Sequence, residues 1–228
     1  GAAFSPVFSD LAPLYTDVHF VTINGYAIHP NQTSFVFNPI SSDYFAGMIA
    51  ALMTKSNKIA IIDALGIYVS KKLGFFKGIV EFNPHAEVYT RVVGSWDDEE
   101  KAALFTKELA DLGVDVIFTR GNAFNRAVIH EAEKRGIFVI GFVDDQGYMA
   151  KEHVITSIVS DVPKAYMLIM EQYFSDEGLK SGQILLDFDN GVYHLAPFGD
   201  MVPESVQKLV EEYLEKYKRG EFKLDELV

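Results

Sequence analysis

The chain has 228 residues, 49% hydrophobic and 23% charged, enough apolar material for one sizeable body or two smaller lobes and too much to stay unfolded. A formal net charge of −12 excludes a protein that wraps phosphate backbones, because that binding needs clustered Lys and Arg to displace counterions. The absence of cysteine removes disulfides, thiolate nucleophiles and Cys-ligated zinc, and no stretch approaches the roughly 20 apolar residues of a membrane span.

In chain order, "VHFVTIN" (18–24) reads as a strand rich in β-branched and aromatic residues. Asn31-Gln32-Thr33 is a glycosylation sequon, usable only in a source that glycosylates. Residues 43–54 form a helical pattern, with Tyr44, Phe45, Met48, Ile49, Leu52 and Met53 on its apolar side and Ser41, Ser42 and Asp43 as cap candidates. Strands follow at 58–63 and 86–93, then a helix after Trp96 with Asp97, Asp98 and Glu99 at its positive end, stopping at Gly113. "VDVIFT" (114–119) and "IFVIGF" (137–142) are nearly continuous apolar runs, as strands covered on both faces should be, and they flank a helix over about 125–135. Asp161-Val162-Pro163 caps a further helix. "QILLDFDNGVYHLAP" (183–197) reads as a hairpin around Asp189, Asn190 and Gly191. Pro203 then opens a closing helix with the stripe Val206, Leu209, Val210, Tyr213 and Leu214.

Alternating strands and helices predict an α/β fold with parallel sheets flanked by helices, and such sheets hold ligands at the carboxyl ends of their strands. The positions that matter are therefore Asn24, Asp63 to Gly66, Arg120 to Asn125, and Val143 to Gln146. Catalysis is a poor reading of them. Asp97-Asp98 and Asp144-Asp145 are sequence neighbours that an extended chain points to opposite faces, whereas acid–base work needs both carboxylates on one substrate. The six histidines lack the spacing of a metal motif, so neither an enzyme, a metal nor a cofactor is expected.

The segments "GAAFSPVFSDLAPLYTDVHFVTING", "SDYFAGMIAALMTKSNKIAII", "LGFFKGIVEFNPHAEV", "VGSWDDEEKAALFTKELADLGVDVIF", "GIFVIGFVDDQG" and "VITSIVSDV" occur in the order of the landmarks of the basic membrane protein family, which the chain resembles over essentially its whole length. These are solute-binding lipoproteins of ABC importers, typified by purine nucleoside receptors and including Med-like regulators. The resemblance implies a type I periplasmic-binding-protein-like fold, with two lobes that close on a nucleoside-like ligand. On it, residues 1–40 plus 157–180 make part of a first lobe and 41–156 plus 181–200 a second, and the closing helix over 201–228 is unplaced. It further implies an opening strand and a ligand-contacting loop upstream of Gly1, a lipid anchor upstream of these, an extracytoplasmic membrane-anchored location, a monomer, and a membrane permease as partner.

The same resemblance gives the ligand-binding candidates. Asn122 either bonds ligand hydroxyls or caps a helix, and Phe124 either stacks on a base or packs in the core. Asp145 and Gln146 match the family's "DQ" and with Asp144 form a candidate group, in which a carboxylate can accept from both hydroxyls of a ribose. Phe4 would form the other face of a base sandwich, and Trp96 reads as a hydrophobic staple. Three departures bear on the ligand: Val143 stands where the family has Asp, "GNAFNR" where it has a Gly-rich loop, and Ser160 where it has Lys. Weak affinity for purine nucleosides follows from the last of these together with the partial first lobe. The alternative is a regulatory relative that keeps the fold with a changed or lost ligand.

Overall fold

The structure is a computed structural model that describes residues 1–66 and 73–224; the end of the expected 201–228 segment lies outside the described residues. In chain order the elements are α1 (Ser5–Leu11), β1 (Phe20–Ile23), β2 (Gln32–Phe37), α2 (Pro39–Met53), β3 (Lys58–Asp63), α3 (Leu73–Phe82), β4 (Glu87–Val92) and α4 (Glu99–Asp111). They continue with β5 (Val116–Arg120), α5 (Asn125–Lys134), β6 (Phe138–Val143), β7 (Val154–Ser160), α6 (Val162–Tyr173), β8 (Gly182–Leu186), β9 (Tyr193–Leu195) and α7 (Glu204–Lys218). Two compact units result: Gly1–Asn38 with Asp161–Val192, and Pro39–Ser160 with Tyr193 onward.

The first unit holds a parallel three-stranded sheet in the order β1, β2, β8. Its core is Phe35, Ala165, Ile169, Leu186 and Val192. Strand β2 has no counterpart in the apolar pattern, because it opens with three buried polar residues, Gln32, Thr33 and Ser34. Two of these find partners: the Gln32 amide oxygen accepts from Ile28 N (2.9 Å) and His29 N (3.1 Å), and the Thr33 hydroxyl donates to Lys180 O (2.6 Å). Beside them, Asn31 Nδ2 donates to the carbonyls of Ala12, Tyr15 and Val18 at 2.9–3.0 Å. The amide nitrogen of the sequon is thus committed to the loop that leads into β1.

The expected hairpin is absent. Strand β8 pairs parallel with β2 in the first unit, whereas β9 pairs antiparallel with β7 in the second. The turn at Asp189-Asn190-Gly191 exists, with Gly191 at φ +71°, but Asn190 intercepts the flanking backbone. Its Nδ2 donates to Leu185 O and its Oδ1 accepts from Asp187 N, groups that a two-strand ladder would need. Residues 181–192 therefore lie with the first unit, while 39–40 and 157–160 lie with the second, which moves the expected lobe boundaries.

The second unit carries a six-stranded sheet in the order β4, β3, β5, β6, β7, β9, parallel except for β9. The parallel arrangement of 58–63, 86–93, 114–119 and 137–142 is as the apolar runs predict. Helix α2 starts at Pro39, so Ser41, Ser42 and Asp43 lie inside it, fully buried, and not at its cap position. Proline tolerates the first helical position because its missing N–H has no partner there anyway. Gly47, Gly74 and Gly78 let α2 and α3 cross closely: a Cβ on Gly47 would stand 2.1 Å from Phe75 O, and one on Gly78 2.2 Å from Tyr44 O. The closing helix finds its place here, with Tyr217 against Phe45 (5.7 Å) and Tyr213 against Phe82 (5.0 Å). The cap predicted at α6 is present, Asp161 accepting from Lys164 N (2.8 Å); at α4, Asp98, expected only as a charge at the positive helix end, is the N-cap and accepts from Lys101 N (3.0 Å).

Candidate functional site

The carboxyl edge of the six-stranded sheet gathers the loops after β4, β3, β5, β6 and β7. Beyond the strands the backbone stays in register across the first three: Val93 N donates to Asp63 O, Gly94 N to Ala64 O, and Ala64 N to Arg120 O, at 2.8–3.1 Å. Phe124 N donates to Trp96 O (3.4 Å), bringing the β4–α4 and β5–α5 loops together.

Asn125 anchors the middle of this edge. It is fully buried; its Oδ1 accepts from Thr119 Oγ1 (2.9 Å) and Gly121 N (3.0 Å), and its Nδ2 donates to Phe142 O (3.0 Å), joining the ends of β5 and β6. The next loop is braced by Gln146, whose Oε1 accepts from Phe142 N (3.2 Å) and whose N donates to Ser157 Oγ (3.1 Å). Gly141 makes room for it, since a Cβ there would stand 2.6 Å from Gln146 Oε1. Between these anchors Val143 adopts φ +80°, a conformation a β-branched residue rarely takes. Strain of this kind persists only where the surroundings over-determine the backbone.

Beneath the edge lies a buried charge cluster. Arg120, at the end of β5, donates from Nε to Asp43 Oδ1 of α2 (2.8 Å) and from Nη1 to Asp63 Oδ1 at the end of β3 (3.4 Å). Its guanidinium lies over the Phe142 ring, 5.5 Å from the centroid. Burial pushes the Asp43 carboxyl up to about 6 even though Arg120 pulls it down, and the Asp63 charge adds to the rise. Burial opposes the Arg120 cation too, but Asp43 and Asp63 hold its pKa above the ordinary guanidinium range.

The expected site residues separate into two groups. Asn122, Asp144 and Asp145 are exposed on loops after the adjacent strands β5 and β6. Asp145 Oδ1 accepts from Gly147 N (2.9 Å), and Asp144 Oδ1 accepts from Asp145 N (2.9 Å). Ser160 ends β7, half-buried and opposite Tyr193. Phe124, in contrast, is fully buried in the core with Val128, Ile129 and Val139 and covers Gly121, so its ring has no face for a ligand. Gln146 is buried with a bracing role. Phe4 belongs to the first unit, where its ring is 58% exposed and stacks on Phe8 at 6.1 Å. Trp96, read as a staple, is 41% exposed instead. The charge cluster and Asn125 went unrecognised as interacting groups; the signal was a lone Asp and a lone Arg ending two neighbouring apolar strands.

Two α/β units exchanging the chain after Asn38, Ser160 and Val192, with polar loops at the carboxyl edge of a parallel sheet, define a periplasmic-binding-protein-like solute-binding fold. The chain belongs to the Bmp family, described as ABC transporter substrate-binding protein PnrA-like, which it matches over residues 1–225. It is 33% identical to the transcriptional activator protein Med of Bacillus subtilis, over 99% of this chain and 71% of that one. It is 30% identical to a purine-binding protein of Brucella abortus, over 92% of this chain and 60% of that one. Among solved structures it superposes on a transcriptional activator of the comK gene from Bacillus halodurans with a TM-score of 0.87 and 32% identity, covering 97% of this chain and 77% of the other. An ABC transporter solute-binding protein from Conexibacter woesei, 21% identical, gives 0.74 over 98% of this chain and 76% of that one, a likeness of fold. Among the described residues no helix is long and apolar enough to cross a membrane.

Proposed function

We propose that the chain is the solute-binding part of a receptor that delivers a nucleoside-like ligand to an ABC permease, holding it at the carboxyl edge of the second unit and doing no chemistry on it. The observation that carries this reading is the group of exposed side chains Asn122, Asp144, Asp145 and Trp96 on three loops of one sheet edge in a family of substrate-binding proteins. Carboxylates accept strongly from sugar hydroxyls, and an indole face stacks on a flat base. The purine binding for which the Brucella relative is named agrees with that chemistry. The chain works as a monomer outside the cytoplasm, held to the membrane by a lipid anchor. Ser160, where the family has Lys, removes a charge-assisted hydrogen bond worth about 1.5–3 kcal/mol, so affinity is weak, with a dissociation constant above about a micromolar.

A second reading, a regulatory protein with a changed or lost ligand, is favoured by the likeness to Med and to the Bacillus halodurans activator. With a net charge of −12, such regulation would run through a protein partner and not through direct contact with nucleic acid.

A thermal-shift series with adenosine, guanosine and inosine separates the two readings. Ligand at a hundred times its dissociation constant adds about 2.7 kcal/mol of stability. The receptor reading expects a rise with at least one nucleoside that Asp145→Asn and Trp96→Ala each reduce. No rise with any of the three at millimolar concentration sinks it in favour of the second.

A further inference from the structure

Among the described residues, three that are not glycine have a left-handed backbone: Asn24 (φ +59°), Asn57 (φ +58°) and Val143 (φ +80°). Asparagine enters this region at little cost, because its short amide side chain bonds locally. A β-branched valine does not, so Val143 stands against the preference of its own backbone.

The surroundings hold it there. Before it, both backbone groups of Phe142 are fixed: N donates to Gln146 Oε1 (3.2 Å), and O accepts from Asn125 Nδ2 (3.0 Å). After it, Gln146 N donates to Ser157 Oγ (3.1 Å) and Gly147 N to Asp145 Oδ1 (2.9 Å). The backbone shape is therefore set by neighbours on both sides, and Asn at position 143 would fit that shape with less strain. What a valine contributes is its side chain. Its place gives that side chain a use: Val143 is the last residue of β6, pairs with Val159 of β7, is half-buried, and immediately precedes the exposed acids Asp144 and Asp145.

We propose that Val143 is a specificity-determining residue, whose methyl groups beside the two acids favour a ligand with an apolar carbon next to a hydroxyl, as in a deoxynucleoside, over one hydroxylated at both positions. The proposal rests on the receptor reading above and narrows its substrate class. The acids accept from a sugar hydroxyl, whereas a further hydroxyl brought against the valine methyls gives up its water and meets no acceptor on them. An apolar contact rejects an added hydroxyl only partly, and the expected discrimination is about tenfold.

The test measures binding of adenosine and of its 2′-, 3′- and 5′-deoxy analogues to the full chain by calorimetry, with Val143→Thr and Val143→Asn alongside. At least one deoxy analogue should bind about tenfold more tightly than adenosine. Val143→Thr keeps the β-branch and supplies a hydroxyl, so it should remove that preference without raising the melting midpoint. Val143→Asn relieves the strain and should raise the midpoint by a few degrees. Adenosine binding as tightly as every deoxy analogue, or a deoxy preference unchanged in Val143→Thr, overturns the proposal and leaves the receptor reading standing. A midpoint that does not rise in Val143→Asn also overturns it, since the valine is then unstrained. If none of the four compounds binds the wild type, the receptor reading fails and this inference falls with it.

Discussion

Replacing Arg120 by Met removes the guanidinium that bonds both Asp43 and Asp63 while keeping most of the side-chain volume. Nε lies 2.8 Å from one carboxylate and Nη1 3.4 Å from the other, and all three side chains are at most 6% exposed, so solvent screening does not soften the loss. Removing one partner of a buried ion pair costs about 3–5 kcal/mol, because the remaining charge keeps its desolvation penalty. That is roughly two to three and a half powers of ten in the folded-to-unfolded ratio, a large part of the 5–15 kcal/mol typical of a domain. In the variant the Asp43 carboxyl loses the cation that lowers its pKa, so it rises further. A raised folded-state value means stability retained in acid and lost as pH increases, so the deficit relative to wild type is greatest at pH 7.5 and shrinks toward pH 5. Urea unfolding at the two pH values, followed by far-UV circular dichroism, reads both quantities. A loss below about 1 kcal/mol at pH 7.5, or an equal loss at both pH values, would refute a buried ion pair of Arg120 with these carboxylates.

Asn125→Ala should cost about 3 kcal/mol or more in denaturant unfolding, since it strips Thr119, Gly121 and Phe142 of buried partners; a loss under about 1 kcal/mol would mean that water replaces them. Gly47→Ala should destabilise by about 1–3 kcal/mol, because the new methyl would meet Phe75 O at 2.1 Å and α2 and α3 would have to part; an unchanged midpoint would contradict the close crossing. Expression in a glycosylating host should leave Asn31 unmodified by mass spectrometry, its Nδ2 being held by three carbonyls; a glycan there would show that the loop opens. Phe4→Ala should change stability by less than about 0.5 kcal/mol, as expected for a ring that is 58% exposed.

The parallel sheet was legible because β3, β5 and β6 are apolar on both faces, a pattern that only a covered strand produces. A helix cap was legible where a single local bond decides it, as at Asp161. The misreadings share a cause. Ser41, Ser42 and Asp43 look like cap residues, yet they fill a buried helix, where Asp43 meets a partner remote in sequence, Arg120, across 77 positions. Thr33 helped hide β2 in the same way, bonded to Lys180 across 147 positions. The hairpin failed because Asn190, a good turn former, also captured the backbone at the end of the preceding strand. Local pattern reports local bonds, and buried polar residues such as Asp43 and Thr33 are spent on distant ones.

The same reasoning narrows what the edge can recognise. Asn125, Gln146 and Arg120 look like ligand-binding side chains by type and position, but each is buried and hydrogen-bonded to the protein itself. Recruiting any of them to a ligand would first break bonds that hold β3, β5 and β6 in place, and a buried group left unsatisfied costs about 1–3 kcal/mol. On the proposed receptor reading, recognition on this unit would fall to Asn122, Asp144, Asp145 and Trp96, which are already exposed. Two of these four are acids and none is a cation, so these four side chains suit a ligand that presents hydroxyls or a positive charge. They would disfavour one that carries phosphate, a preference for nucleosides over nucleotides that rests on charge.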